Sequence, residues 1–395
     1  MTVPTPFHPR TSVLCGSRRW KDWAGYHAVR SFRSCHEPEY HAIRQSAGLL
    51  DVSPLFKYEV RGGDAGRFLA RVMTRDIRRL RPGRVTYGCL CDEAGKMIDD
   101  GTVARLDEDR YRVTTASPAL RWLEGRRRRL DVSIEDESER LAAVALQGPR
   151  ARHILAAIAE GGVDKLRYFA ITKARIGKLQ LDISRTGYTG DLGYELWVDR
   201  ENALPLWDAL IEAGGPHRLL PVGLDALDVV RIEAGYILQG VDYFSAPRCA
   251  IEERKSSPLE AGLGWTVDLE RESFIGQEAL RDEMKRGSRW ALVGIEVDAE
   301  ELESLYDRYG LPPELPAGAT REGVPIFRRG RQVGQATSST WSPLLKRFIA
   351  LATVKSRCSA AGTRLEVEHT VEYCRHRLPC LVVDRPFFDP PRKRA

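Results

Sequence analysis

The chain has 395 residues, 43% of them hydrophobic, and a formal net charge of +6. That length accommodates two or three domains with a sizeable core, and the composition is that of an ordinary globular protein. No apolar run approaches the roughly 20 residues of a membrane span, and "MTVPTPFHPRTSVLCGSRRW" contains no apolar signal core.

In chain order the pattern mixes helices and strands without regular βαβ alternation. "EPEYHAIRQSAGLL" reads as a helix ending near Gly48. "FKYEVRG" alternates as a strand, and "DAGRFLARVM" reads as a helix capped by Asp64. "VTYGCLCDEAGKMIDDGTVARLDEDRYRVTTAS" reads as three successive strands turning at "DEAGK" and "LDEDR". "SPALRWLE" follows as a helix with Ser117 as cap and Pro118 in the first turn. The run Arg126 to Arg129 then reads as a solvated helix end, with cations favoured near the last carbonyls. No nucleic-acid recognition motif accompanies it. "AVALQGPRARHILAAI" is a strand, a Gly-Pro turn and a helix, while "LPLWDALIEAG" and "GLDALDVVRIEAG" are amphipathic helices. After about residue 290 strands dominate, which predicts an all-β C-terminal domain. The charged, Pro/Gly-rich segment "AEELESLYDRYGLPPELPAGATREG" is expected to be a surface insertion between strands.

The eight cysteines form no CxxC pair, and no second Cys or His pair has ligand spacing. Free buried thiols, no metal site and a reducing, cytoplasmic setting are the expectation. No GxGxxG after a strand and no GxxxxGK[ST] is present, so no nucleotide-phosphate cradle is indicated.

Three stretches carry chemistry. In "SRTGYTGDLGYEL" the alternation of the final strand puts Glu195 and Trp197 on one face, opposite Tyr194, Leu196 and Val198. Gly187, Gly190 and Gly193 let that backbone bend tightly and approach a ligand. A carboxylate beside aromatic surface suits a flat heterocycle with adjacent N–H donors. In "DEAGKMIDDG", Asp99 and Asp100 occupy successive strand positions, so one carboxylate can face a cavity and the other solvent or a helix. In "DVVRIEAG", Asp228 and Arg231 are spaced for an ion pair on one helix; alternatively Arg231 locks the ligand-facing carboxylate.

The ordered series "RQSAGLLDVSP", "DEAGKMIDDG", "ALQGPRA", "RTGYTGDLGYEL", "VGLDALDVVRIEAG", "GLGWTV", "FIGQEAL" and "TSSTWSPLLKRFIALA" resembles the aminomethyltransferase family. That family includes the glycine cleavage T-protein, tetrahydrofolate-dependent demethylases and the folate domains of sarcosine and dimethylglycine dehydrogenases. The resemblance implies an α+β fold of three domains in a cloverleaf around a folate cavity, closed by a barrel-like all-β C-terminal domain. It divides the chain into residues 1–54 with 140–222, residues 55–139 with 223–288, and residues 289–395. It implies tetrahydrofolate as cosubstrate, Glu195 on the pterin edge, Asp99 as catalytic carboxylate, and Tyr87, Tyr188, Trp197, Thr115 and Arg231 at the folate site.

Four features depart from the T-protein pattern: Thr115 replaces an Asn, Ala104 an aromatic, the N-terminal "WKDWAGYHAVRSF" lacks a Met-Pro, and the insertion around residues 299–322 is long. They imply an altered substrate side and favour a demethylase or methyltransferase that moves a methyl or methylene group from a small methylated substrate to N5 of tetrahydrofolate. The alternatives are a T-protein with a lipoyl carrier protein as donor, or a non-catalytic folate scaffold. Neither nucleic acid nor membrane is an expected partner.

Overall fold

The computed structural model describes residues 2–315 and 318–395. Its first large sheet has seven strands, with Gly193–Asp199 at the centre, Leu141–Gln147 beside it and Ala47–Asp51 next, one strand from the edge. One face of this sheet packs Leu146, Tyr194, Leu196 and Val198 against the helices Ala151–Ile158 and Ala203–Gly214. The other face packs Ala143, Ala145 and Trp197 against residues of the helices Glu37–Gln45 and Leu224–Glu233. A sheet buried on both sides must carry side chains of both alternation phases inward, and Leu141–Gln147 is buried at every position.

The second sheet has five strands in the order Arg84–Cys91, Met97–Arg105, Arg110–Thr115, Phe56–Arg61 and Ser133–Asp136. Helix Ala65–Val72 covers one face with Phe68, Leu69 and Val72. The six strands from Trp290–Val297 to Cys374–Val383 close into a barrel filled by Val, Ile, Leu and Ala side chains. This is the α+β architecture with an all-β C-terminal barrel expected from the sequence.

Three local expectations differ. The helix that begins at Glu37 stops at Gln45, and Ala47–Asp51 is an inner strand of the sheet rather than the last helical turn. Gly48 there lies so close to Val222 that a Cβ would come within 2.6 Å of its methyl group. Asp64 occupies the cap position, but its carboxylate accepts from the Asp131 backbone N–H instead of its own helix. Ser117 caps nothing: the short helix is Leu120–Glu124, and the Ser117 hydroxyl bonds the Gln239 side chain. The insertion lies between the strands Trp290–Val297 and Val324–Arg328, as expected, and starts as a regular helix, Ala299–Asp307, capped by Asp298 and seating Leu302, Leu305 and Tyr306 on the barrel core. Pro316 and Ala317 of that segment lie outside the described residues.

The Arg126–Arg129 run follows the helix end and is largely exposed, with Arg126 paired to Glu93 at 3.3 Å and set over the Trp122 ring. All eight cysteines are unpaired, five of them buried. Among the described residues, no helix is long and apolar enough to cross a membrane.

Candidate active site

The glycines of "SRTGYTGDLGYEL" are required by packing within the protein. A Cβ at Gly187 or Gly193 would lie about 2.1–2.2 Å from the Gln147 amide oxygen, and one at Gly190 would lie 2.4 Å from the Ala234 Cβ. Gly190 also has a φ of +70°, a conformation that side chains disfavour. Gln147 is the post around which the loop bends. Its amide donates to the Thr186 and Tyr194 carbonyls and accepts from the Thr189 hydroxyl.

This loop holds Glu195 half-buried at the strand end. The Thr186 hydroxyl donates to Glu195 Oε2 at 2.5 Å and pairs with Ser184 at 2.7 Å. Thr186 is the only hydrogen-bond partner of the carboxylate among the described residues, which leaves Oε1 available to a ligand. Burial pushes Glu195 above its ordinary range, and the Thr186 bond opposes that shift. Trp197 shares its strand face but is a core residue, 5% exposed, with its indole N–H directed at Ser184 and Arg112 over its ring.

Beyond the loop, Tyr188 stacks on Tyr236 with ring centroids 5.6 Å apart, and its hydroxyl donates to the Ile237 carbonyl. Tyr188 is close enough to Tyr87 and Asp100 for their charges to act on one another. The Tyr87 hydroxyl donates to Asp100 Oδ2 at 2.5 Å, and its ring stacks at 6.0 Å on Trp265, which is 60% exposed. Tyr243 donates to the other Asp100 oxygen. Tyr87 and Tyr243 belong to a cluster with Cys89, Ile237, Leu263, Leu292 and Ile349, where the five-stranded sheet, the loop after Leu224–Glu233 and the barrel meet.

The adjacent aspartates have different surroundings. Asp100 pairs across the sheet with Cys89, on the Tyr87 side, and retains partial exposure. Asp99 pairs with Leu90, on the helix-covered side, and is 1% exposed. Its carboxylate accepts from the backbone N–H groups of Ser117 and Asp100 and from the Gln239 amide, with the Tyr243 hydroxyl at 3.3 Å. Burial and mutual repulsion raise the proton affinity of the pair.

Thr115 is buried behind Asp99, its hydroxyl donating to the Ser117 carbonyl. Arg231 does not reach Glu195. It is fully buried and donates to Asp228, Asp242, Ser338 and the Tyr236 carbonyl, tying its helix to the barrel. Sequence reasoning missed Gln147, Thr186, Gln239, Tyr243 and Trp265. "LQGVDYF" follows the "RIEAG" helix closely, and its amide and phenol were the available signal for Gln239 and Tyr243.

The family model described as the GCVT N-terminal domain matches residues 11–271. The one described as the glycine cleavage T-protein C-terminal barrel domain matches residues 308–389. An aminomethyltransferase from Symbiobacterium thermophilum is 38% identical over 368 residues, covering 90% of each chain. One from Bacillus pumilus is 33% identical over 373 residues, covering 93% of this chain and 94% of its own. In fold, the chain is similar to the crystal structure of glycine cleavage system aminomethyltransferase T from Bartonella henselae, with a TM-score of 0.82, 23% identity, and coverage of 98% and 99% of the two chains.

The fold thus carries a half-buried carboxylate at one end of the glycine-rich loop, a tyrosine stack that includes Tyr188 of the same loop, and a phenol-held aspartate. The chain belongs to the aminomethyltransferase family, whose cosubstrate is tetrahydrofolate.

Proposed function

We propose that this chain is a glycine cleavage T-protein: it transfers the carbon of an aminomethyl group carried on a lipoyl arm to tetrahydrofolate, releasing ammonia and the reduced lipoyl thiol. The placement of Ala104 and Thr115, two of the four departures from the T-protein pattern, supports this reading over transfer from a small methylated substrate. Ala104 packs with Val85 and Ile171 in the seam between the two sheets. The insertion begins as a helix on the barrel core. "WKDWAGYHAVRSF" forms part of a three-stranded sheet whose Trp23 and Ala28 pack in the cluster that also takes up Tyr188. Thr115 lies behind Asp99. Neither Ala104 nor Thr115 lies among the half-buried groups around Asp100, whereas Ala319 at the end of the insertion packs in the cluster of Tyr87 and Tyr243. The names of the full-length relatives support the same reading.

The residues fit the cosubstrate. Glu195 has an oxygen free for the paired N–H donors of a pterin edge, and the Tyr188 wall is flat and apolar. Tetrahydrofolate supplies the nucleophilic nitrogens that accept the carbon. The protein aligns the two reactants and stabilises charge as the carbon loses its amine. We assign that electrostatic and proton-handling role to Asp100 rather than Asp99. Asp100 is partly open and oriented by two phenols, whereas the acceptor positions of Asp99 are occupied by the protein's own N–H groups. Asp99 then positions the strand end and Gln239.

The test supplies purified protein with an aminomethyl-loaded lipoyl carrier protein and tetrahydrofolate, and follows methylene-tetrahydrofolate and ammonia. Release of both products supports the reading. Turnover only with methylated amines or sulfonium compounds, and none with the carrier, would return the assignment to a demethylase.

A further inference from the structure

Glu195 stands at the end of a hydrogen-bond chain whose direction the side chains themselves fix. The chain runs from the Trp197 indole through the Ser184 and Thr186 hydroxyls to Glu195 Oε2, with separations of 3.4, 2.7 and 2.5 Å. Strand pairing builds it. Ser184 is the cross-strand partner of Glu195, and Trp197 lies two residues further along the same face. Trp197, Ser184 and Thr186 are all buried, so their polar groups depend on one another.

An indole N–H donates and cannot accept. Ser184 therefore takes that bond on its oxygen, and its own hydrogen has one acceptor among the described residues, Thr186 Oγ1. Thr186 accepts from Ser184 and donates to Glu195, so every hydrogen in the chain points toward the carboxylate. The opposite order fails. If Glu195 donated a proton from Oε2, Thr186 would have to donate to Ser184. Ser184 already accepts from Trp197, and its hydrogen would be left buried without an acceptor, which is disfavoured. A proton on Oε1 would replace the charge-assisted bond from Thr186 by a weaker neutral one.

Burial pushes the Glu195 carboxyl above its ordinary range, and the Thr186 bond opposes that shift. Charges on the elements packed against this face are engaged with one another. Arg112, over the Trp197 ring, bonds Asp182 at 2.8 Å, with Glu137 at 3.9 Å. On the covering helices Arg44 pairs with Glu233 and Arg231 with Asp228. The Tyr40 and Tyr188 phenols donate to Glu233 and to the Ile237 carbonyl. We propose that Trp197 is a positioning residue for the folate site: its N–H sets the direction of the Ser184–Thr186 chain, which holds Glu195 as an ionised carboxylate and leaves Oε1 to the ligand. A pterin edge offers N–H donors, which a protonated carboxyl would meet with a donor of its own. The consequence for binding rests on the folate reading of Glu195; the chain itself does not.

Two variants test it. Trp197→Phe keeps an aromatic ring and removes the N–H; Ser184→Ala removes the middle of the chain with little change in volume. NMR of ligand-free protein carrying isotope-labelled glutamate follows the Glu195 carboxyl through its titration, the resonance being identified by its loss in Glu195→Gln. Both variants should move the protonation midpoint up by about one pH unit, the order expected for one hydrogen bond to the charged form. The double variant should move it no further than either single one, because the two act through one chain. Calorimetry with tetrahydrofolate should then show affinity equal to the wild type at the alkaline end and lost at a higher pH than in the wild type as the solution is acidified. An unchanged midpoint in Ser184→Ala overturns the inference even if Trp197→Phe fails to fold. So does an unchanged midpoint in a folded Trp197→Phe, or an affinity loss that is the same at every pH, which would reduce Trp197 to packing. Shifted midpoints in a protein whose wild type does not bind tetrahydrofolate would overturn the folate reading and leave the chain standing.

Discussion

Replacing Asp100 and Asp99 separately by Asn distinguishes a reacting carboxylate from one that builds the wall. At Asp100, Asn keeps the shape and can accept from Tyr87 or Tyr243 through its remaining oxygen, but it carries no charge and accepts no proton. Removal of a positioned acid–base group costs about 10²–10⁴ in rate, so Asp100→Asn should lower kcat by that order with little change in folate affinity. At Asp99, the backbone N–H groups of Ser117 and Asp100 approach different oxygens, Oδ2 and Oδ1, and the Gln239 amide also donates to Oδ1. An Asn must turn its NH₂ toward at least one of these donors. The loss is a buried, charge-assisted hydrogen bond, worth about 1.5–3 kcal/mol. Asp99→Asn should therefore appear first as a loss of unfolding free energy, with a smaller rate defect. Carrier-dependent product formation under saturating substrates gives kcat, and urea unfolding gives stability. A fully stable Asp99→Asn with the larger rate defect would reverse the assignment. Equal defects in both would mean that the pair acts only as structure.

Two further outcomes follow from the same geometry. Glu195→Gln presents a donor where the free oxygen now accepts, and should weaken tetrahydrofolate binding by roughly tenfold to a hundredfold; unchanged calorimetry would remove Glu195 from the pterin edge. Lys57 is fully buried, its ammonium donating to the Ser53 and Leu141 carbonyls, and burial pulls its pKa down from 10.5 to about 8. Below about 8 the cation is charged in both states and the burial penalty is fully present. Between there and 10.5 the folded state releases its proton first, so the penalty fades as pH rises. The stability difference between wild type and Lys57→Met should therefore shift in favour of the wild type by about 1–2 kcal/mol from pH 7 to 9.5 in urea unfolding. A pH-independent difference would show that Lys57 keeps an ordinary affinity for its proton.

Strand alternation made much of the site readable. The phases of Tyr194–Val198 and of Asp99 and Asp100 are those the sequence predicts, because a sheet residue has only two directions to point. What alternation lacks is the sign of the face: either aspartate satisfies it until the covering helix Ala65–Val72 is placed. The glycines show a related limit. Their need for small side chains was legible, but the atoms that crowd them belong to Gln147 and Ala234, both at least 40 residues away in sequence. Trp197 read as ligand-facing because it shares the strand face of Glu195; only Ser184, Arg112 and the helices over the sheet make it core.

The helix Leu224–Glu233 marks where pattern reading stops. Its charged residues look like a solvent face, yet Asp228, Arg231 and Glu233 are all buried. Arg231 is held between Asp228 and Asp242, and it reaches Ser338 on the barrel. Glu233 accepts from Arg44 and Tyr40 of the helix Glu37–Gln45 and from Ser342 of the barrel. Buried charges survive only when paired, and pairing from opposite sides fixes the distance between the elements that supply the partners. Arg231 joins its helix to the barrel and to the backbone of Tyr236, whose ring stacks on Tyr188. Such a role leaves no trace in periodicity, because a charge turned inward and one turned to water occupy the same positions on a helix.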